Sequence, residues 1–404
     1  MSLKTRTFAY NNNKVNTLFQ RMKFVLSSTV LASRLQTIGR VIVQKNNVPI
    51  LDCFCFDIKD NVLTITASDN DSTLFTKIEL SESDADIRFA INAKTIQDAI
   101  KEIPDQPLEI YLNPETYELT IQYQNGHYKI TGQDATTYPM TVINEEKALE
   151  ITLKEDVFLA AINRSLVAVA NDGLRPQLNS ICLDIQDHSV SVVSSNGGQL
   201  ALTSIPYPSI DTEESYLLGT RPTVLLKGML SKGEGEVRLS LSERTATISN
   251  DNYSIICRLV EGRFPAYRKI IPENNPNVIT INRMALISAI RRMLVTANAQ
   301  NVLVKFRIDV NSLYISSQDI DFGKSAEESV LCEYVGTPMR IAFKGSDFLE
   351  LINNINSEEV QIKLSDPSRA GLIVPKEEAS DNGEEAHKEH EKIVMLIMPS
   401  IFND

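Results

Sequence analysis

Asp69 and Asp71, in Ser-Asp-Asn-Asp-Ser, are the first residues of this chain whose spacing could do chemistry, as a pair of metal carboxylates or a general acid and base. They directly follow an alternating apolar stretch, where Asp and Asn are ordinary turn formers, and the matching positions of a later repeat are Asn196 and Gly198. A turn is the plainer reading. Cys53 and Cys55 form a Cys-x-Cys within the apolar run LDCFCF, with no histidine nearby, so they read as reduced, buried thiols of a strand. His387 and His390 could share a metal, but they lie in Lys376–Glu391 among seven acids, which reads as a solvated surface loop. The sequence has no glycine-rich phosphate loop, no paired-cysteine zinc spacing, no His-Glu-x-x-His and no Gly-x-Ser-x-Gly, and Lys232–Glu236 reads as a turn. No catalytic residue, metal or cofactor is expected.

The cations carry a different message. With 52 acids against 40 bases the net charge is −12, which taken alone argues against a nucleic-acid binder, because a uniformly acidic surface repels a polyanion. The charge is not uniform. Ser28–Lys45, Arg221–Lys232 and Asn282–Asn298 hold nine bases (Arg34, Arg40, Lys45, Arg221, Lys227, Lys232, Arg283, Arg291, Arg292) and no acid. Without those nine the balance is −21. A protein this acidic that keeps acids off three equivalent helices is separating charge by surface, which fits a positive face for a phosphate backbone. For one helix alone, an arginine beside an apolar stripe is only a solvated flank.

The elements that position these residues recur. Phe24–Leu35, Ile151–Ile162 and Ile279–Ile290 each read as a short alternating strand, a polar break and a helical apolar pattern, with starts 127 and 128 residues apart. That is far beyond a solenoid period of roughly 20–50 residues, so three whole domains of one kind are expected. Leu286, Ile290, Met293, Leu294 and Ala297 make one helical stripe; Leu31, Leu35, Ile38 and Ile42 make another. After each helix come two strands around a turn, as at Ile50–Ile58, Lys59–Asn61 and Val62–Ser68. A second strand and helix follow within each repeat, at Ile87–Ile103, Ser215–Leu230 and Met339–Ile355. The fold class is therefore α+β, three domains of two αβ halves each, with six helices set on antiparallel sheets.

The domains are placed at 22–145, 146–276 and 277–404, with linkers at Gln133–Leu149 and Pro272–Asn277. Residues 1–21 have no counterpart in the other repeats and read as a flexible extension or a mis-set start before Met22; Lys4, Arg6, Lys14 and Arg21 would also suit a targeting arm. No apolar run reaches the roughly 20 residues of a membrane span, so a soluble, cytoplasmic protein is expected.

Met22-Lys-Phe, Val48-Pro-Ile-Leu, Glu261-Gly-Arg-Phe-Pro-Ala-Tyr267 and Ile397-Met-Pro399 stand in order along these repeats. Together they resemble the bacterial DNA polymerase III beta subunit, the replicative sliding clamp, over essentially all of 22–402. The resemblance implies a head-to-tail homodimer whose six domains close a ring around duplex DNA. Such a ring tethers a polymerase without sequence specificity or a reaction of its own, and a separate ATP-driven loader opens it. It implies DNA-facing roles for the nine helical bases and for the loop residue Arg175, with Pro176 and Gln177 where relatives carry aromatics. It also implies a pocket between the second and third domains for short partner peptides containing Gln and Leu or Phe, built from Leu178, Ser195, Gly197, Gly198, Leu200, Pro265, Ile270, Leu396, Met398 and Pro399. Gly198 and Gln199 stand where the family often has His-Arg, Asp347 where an aromatic is common, and the chain ends Ser400-Ile-Phe-Asn-Asp in place of a short tail. The ring interface would pair the edge strand at Tyr128 and Ile130 with the helix end at Leu294 and Val295 of the next chain.

Two other classes stay open on the residues alone. One is a noncyclic repeat scaffold that binds protein or glycan through its sheets, monomeric and indifferent to DNA. The other is an enzyme with a site at Asp69/Asp71 or Cys53/Cys55.

Overall fold

A computed structural model describes residues 21–43, 46–84, 86–139, 148–230, 235–376 and 391–402. The chain divides into two compact units, Met1–Met140 and Thr141–Asp404. In the first, Glu82–Ser83, Met22–Ser27, Pro107–Leu112, Glu118–Tyr123 and Gly126–Thr131 form an antiparallel sheet in that spatial order. Gln133–Asp134, Ile87–Asn92, Cys53–Lys59, Val62–Ser68 and Ser72–Glu79 form a second run. Helices α1 (Ser28–Ile38) and α2 (Ala93–Ile100) each follow directly on a strand and contact one another. Both begin on a polar cap: Ser27 Oγ accepts from the Val30 amide at 3.4 Å and Asn92 Oδ1 from the Thr95 amide at 3.0 Å. Such a cap satisfies a helix-start donor that would otherwise lack a partner, worth ~1 kcal/mol.

The second unit carries the other two repeats. Its helices are α3 (Glu155–Leu166) and α4 (Thr220–Met229), then α5 (Arg283–Leu294) and α6 (Gly345–Asn353), paired in the same way. The two repeats share an eight-stranded sheet, because Gln199–Pro206 of the earlier one hydrogen-bonds to Lys392–Ile397 of the later one over six residue pairs. A four-stranded sheet (Lys324–Leu331, Ser312–Asp319, Leu303–Asp309, Met339–Lys344) backs α5 and α6. There the alternation reads directly: Val304, Phe306 and Ile308 are buried against the helices, while Lys305 and Arg307 take the other face. Phe306, Phe343 and Phe348 meet with ring centroids 5.1 to 5.5 Å apart, and all three are buried.

The helical stripes hold where they matter. Leu31, Leu35 and Ile38 are buried on α1, and Leu286, Ile290 and Met293 on α5. Each helix stops earlier than its apolar pattern. Ile42 lies past the one-turn 3-10 segment Gly39–Val41, and Ala297 lies past Leu294, both half-buried. The expected strand from Ile50 is likewise corrected: Pro49–Asp52 is a 3-10 turn, and pairing begins at Cys53. The hairpin turns are as read, with Asp60 and Asn61, then Asp187 and His188, at positive φ, the backbone that short hairpin turns require.

The expected linker from Gln133 needs a larger correction. Gln133 and Asp134 pair with Ala90 and Phe89, and the buried Tyr138 donates its hydroxyl to the Cys53 carbonyl at 3.2 Å. Its phenol, held by burial well above the ordinary value, stays protonated. This stretch is therefore folded onto the first unit, and 140–147 lie outside the described residues, as do 1–20 and 377–390.

Replacing Phe348 by Ala removes the ring that both other phenylalanines contact. It should cost about 3–5 kcal/mol in the unfolding free energy of the unit that holds it, measured by urea denaturation.

Candidate functional site

The basic residues of the three acid-poor segments divide by partner. Arg40, Arg221, Lys227 and Arg291 are exposed, Arg34 is half-buried, and Lys45 and Lys232 lie outside the described residues. Arg283, at the first position of α5, turns back to donate to the Ser357 carbonyl at 2.9 Å and to Ile352 O at 3.5 Å, closing the end of α6. Arg292 grips Glu328 on the neighbouring strand through Nε at 2.7 Å and Nη2 at 2.5 Å. This bond holds the Glu328 carboxyl below its ordinary range. Arg175 sits on a loop where its guanidinium meets Asp172 at 2.6 Å. Nor are the three segments equivalent: α1 and α5 are the first helices of their repeats, whereas α4 is the second of its own. The opening helix of the middle repeat, α3, starts Glu155-Asp156, with Glu155 buried and bonded by Asn250 at 2.9 Å. The acid-free pattern in the sequence marks two different positions within the repeat.

Of the residues nominated for a peptide pocket, Ser195, Leu200, Leu396, Gly198 and Met398 meet where the second and third repeats share a sheet. Leu200 stands opposite Leu396 across the shared sheet and opposite Ser195 in its own hairpin. Leu178, Ser195, Leu200 and Leu396 are buried, and Leu200 and Leu396 share one apolar cluster with Cys182, Val193 and Tyr267. Pro265, Ile270 and Met398 are exposed, Ile270 at 53% and Met398 at 44%, and Pro399 is half-buried. Gly197 has φ +93°, which favours glycine, and a Cβ there would sit 3.6 Å from the Arg175 guanidinium, so the Arg175 loop borders this turn. The Met398 amide donates to the Gly198 carbonyl at 2.8 Å. The two departures from the family pattern meet here: buried Gln199 donates to the Asp347 carbonyl at 3.1 Å and accepts from Asn196 at 2.6 Å, while the Asp347 carboxylate pairs with Lys344 at 2.9 Å. Sequence reasoning noted each position singly and missed their junction.

It also missed what fixes the motif ending in Tyr267. The buried Tyr267 hydroxyl donates to Asp184 at 2.5 Å, and Arg268 bonds the same carboxylate at 3.1 Å and Asp187 at 3.1 Å. Gly262, at φ +121°, lies so close to Gln177 that a Cβ would fall 2.7 Å from its amide nitrogen. The motif thus fastens the connection between repeats onto the middle repeat; the only signal was the motif itself.

Of the residues nominated for a chain–chain interface, Gly126–Thr131 is the last strand of its sheet, and Val295 is 76% exposed just past the end of α5. Ile130 points inward and is buried, Tyr128 rests its ring 5.5 Å from Tyr123, and Leu294 is half-buried. The strand therefore offers a partner its backbone edge more than those side chains. Asp69 is a turn residue whose Oδ1 accepts from the Ser72 amide at 2.8 Å, and Cys53 and Cys55 are buried with thiols pushed up by burial. Among the described residues no group of three His, Cys, Asp or Glu is placed to hold a metal, and no helix is long and apolar enough to cross a membrane.

Family models describing the N-terminal, central and C-terminal domains of the DNA polymerase III beta subunit match residues 22–142, 152–266 and 268–385. The beta sliding clamp of Pseudomonas putida is 23% identical over 87% of this chain and 95% of its own length. That of Haemophilus influenzae is 24% identical over 89% and 97%. The solved beta subunit of DNA polymerase III from Thermotoga maritima superposes with TM-score 0.83 at 22% identity, over 95% of this chain and all of that one. A Pseudomonas aeruginosa sliding clamp bound to griselimycin does so with TM-score 0.85 at 21% identity, over 95% and 100%.

Burial and the Asp184 bond hold the Tyr267 phenol above its ordinary value of 10.0. The stability this gives is complete below that value and is lost as pH rises past it. Tyr267→Phe should cost about 1–3 kcal/mol at pH 7. It should also lose less than the parent between pH 7 and 11, both read from denaturant midpoints.

Proposed function

The chain belongs to the DNA polymerase III beta subunit family, and we propose that it works as a sliding clamp, encircling duplex DNA and tethering the replicative polymerase for processive synthesis. The ordered match of all three domain models across 22–385 carries this reading. The separation of charge supports it: an acidic protein presents Arg40, Arg221, Lys227 and Arg291 on helices, where a phosphate backbone can be held without reading bases. The division into 22–145, 146–276 and 277–404 follows the same three-part plan.

In this reading two chains associate head to tail and close a ring of six domains. The contact joins the backbone edge of Gly126–Thr131 to the end of α5 at Leu294 and Val295. Grip on DNA is topological, so no catalytic group, metal or cofactor is required, and a loader driven by ATP opens the ring. The polymerase, the loader and other partners insert short peptides at the seam between the second and third repeats, with Leu178, Leu200 and Leu396 as floor and Pro265, Ile270 and Met398 as rim. The protein works in the cytoplasm, where the chromosome is replicated.

Light scattering at micromolar and then nanomolar concentration should give twice 45.1 kDa at both. A monomer at micromolar concentration would sink the two-chain ring and favour the noncyclic scaffold. Val295 is mostly exposed, so Val295→Glu should leave the unfolding midpoint nearly unchanged while halving the mass.

Alanine at Arg40, Lys227 or Arg291 should weaken duplex binding to a similar extent for any sequence. Each should also reduce the slope of log affinity against log salt by about 1 for every phosphate that is no longer neutralised, measured by anisotropy titrations at several salt concentrations.

A further inference from the structure

Beyond Ile397 the chain leaves the shared sheet and is held at alternate points. The Met398 amide is bonded to Gly198 O and the Ser400 amide to the Ala342 carbonyl, both at 2.8 Å. Ile401 projects into solvent at 98% exposure. Phe402, half-buried, lays its ring 5.4 Å from the Lys305 ammonium, within cation–π range. Lys305 is on the face of the four-stranded sheet away from α5 and α6. Phe402 borders two hollows there: one of about 700 Å³ with Asn301, Gln318 and Ile320, and one of about 230 Å³ with Arg307, Tyr314 and Arg340. It stands between them as a peg in a groove.

We propose that Ser400–Phe402 is a strap, anchored by Phe402 on this sheet face, that positions the Met398–Pro399 wall of the peptide pocket. The inference rests on the pocket reading above. Met398 is too exposed for core packing to fix it, so its place depends on the backbone bonds at 398 and 400. A segment that has left its sheet and is held by two such bonds opens readily unless a side chain beyond them is docked. Phe402 is that side chain, and it reaches the pocket only through the strap. Partner affinity should therefore depend on a residue that lines no part of the pocket.

The test uses the full chain, its Phe402→Ala variant and a Phe402→Trp rescue. Amide exchange at Met398 and Ser400 should quicken by about tenfold in Phe402→Ala while Ile393–Met395 stay protected, and Trp should restore it. A labelled synthetic peptide containing Gln, Leu and Phe should bind Phe402→Ala about three- to tenfold more weakly, because the wall must then be ordered on binding. Unchanged exchange overturns the strap, and faster exchange with unchanged affinity overturns its link to the pocket. If the parent chain binds no such peptide, the pocket reading fails, and exchange alone still decides whether Phe402 holds the strap.

Discussion

The pairing of Gln199–Pro206 with Lys392–Ile397 is the contact on which the second unit depends. Each strand would otherwise present an unpaired edge, a row of donors and acceptors open to other chains. Joined, they turn two repeats into one sheet and bring Leu200 opposite Leu396, although these residues are far apart in the chain. Around that ladder a second layer of contacts spans the same repeats. Arg164 of α3, nearly buried, meets Glu391 at 2.7 Å, and Gln199 bonds the first turn of α6. Removing one partner of such a buried pair strands the other charge at a cost of about 3–5 kcal/mol, which makes it a lock on the seam more than a source of net stability.

Electrostatics in this chain is a matter of allocation. Arg283 and Arg292 are spent within their own domain, one on helix-end carbonyls and one on Glu328, while Arg291 between them stays exposed. Three arginines of one helix thus do three different things, because successive positions on a helix point about 100° apart and meet different neighbours. Arg175 is offset by Asp172 at a salt-bridge distance, yet with its side chain about half exposed that pair is weak and can yield to a stronger anion. A field built this way holds a polyanion loosely, as sliding requires.

Much of the fold was legible because it rests on local periodicity. Leu286, Ile290 and Met293 recur at helical spacing and Val304, Phe306 and Ile308 at strand spacing, and each set is buried together. Asn282, whose side chain accepts from the Ala285 amide at 2.9 Å, marks a helix start by its type alone. Helix ends were less legible, since Ile42 and Ala297 keep the apolar pattern past Ile38 and Leu294, the last residues of α1 and α5. Gln133–Tyr138 looked like a linker because nothing in its composition says that Gln133 will pair with Ala90 or that the Tyr138 hydroxyl will reach Cys53. The floor of the candidate pocket could be named only through resemblance, since a buried leucine in a pocket and one in a core have the same sequence signature.

By itself the sequence determined the three repeats, their α+β halves, the absence of recognisable catalytic motifs and the removal of acids from three basic segments. These are written in residue types and short spacings, which set local backbone and burial without reference to the rest of the chain. Only the tertiary structure decided which of those bases face solvent, that the departures from the family pattern at Gln199 and Asp347 meet, and where the segment after Pro399 docks. Those outcomes depend on which distant strands pair and in what register, and a shift of one residue would send every side chain on them to the opposite face.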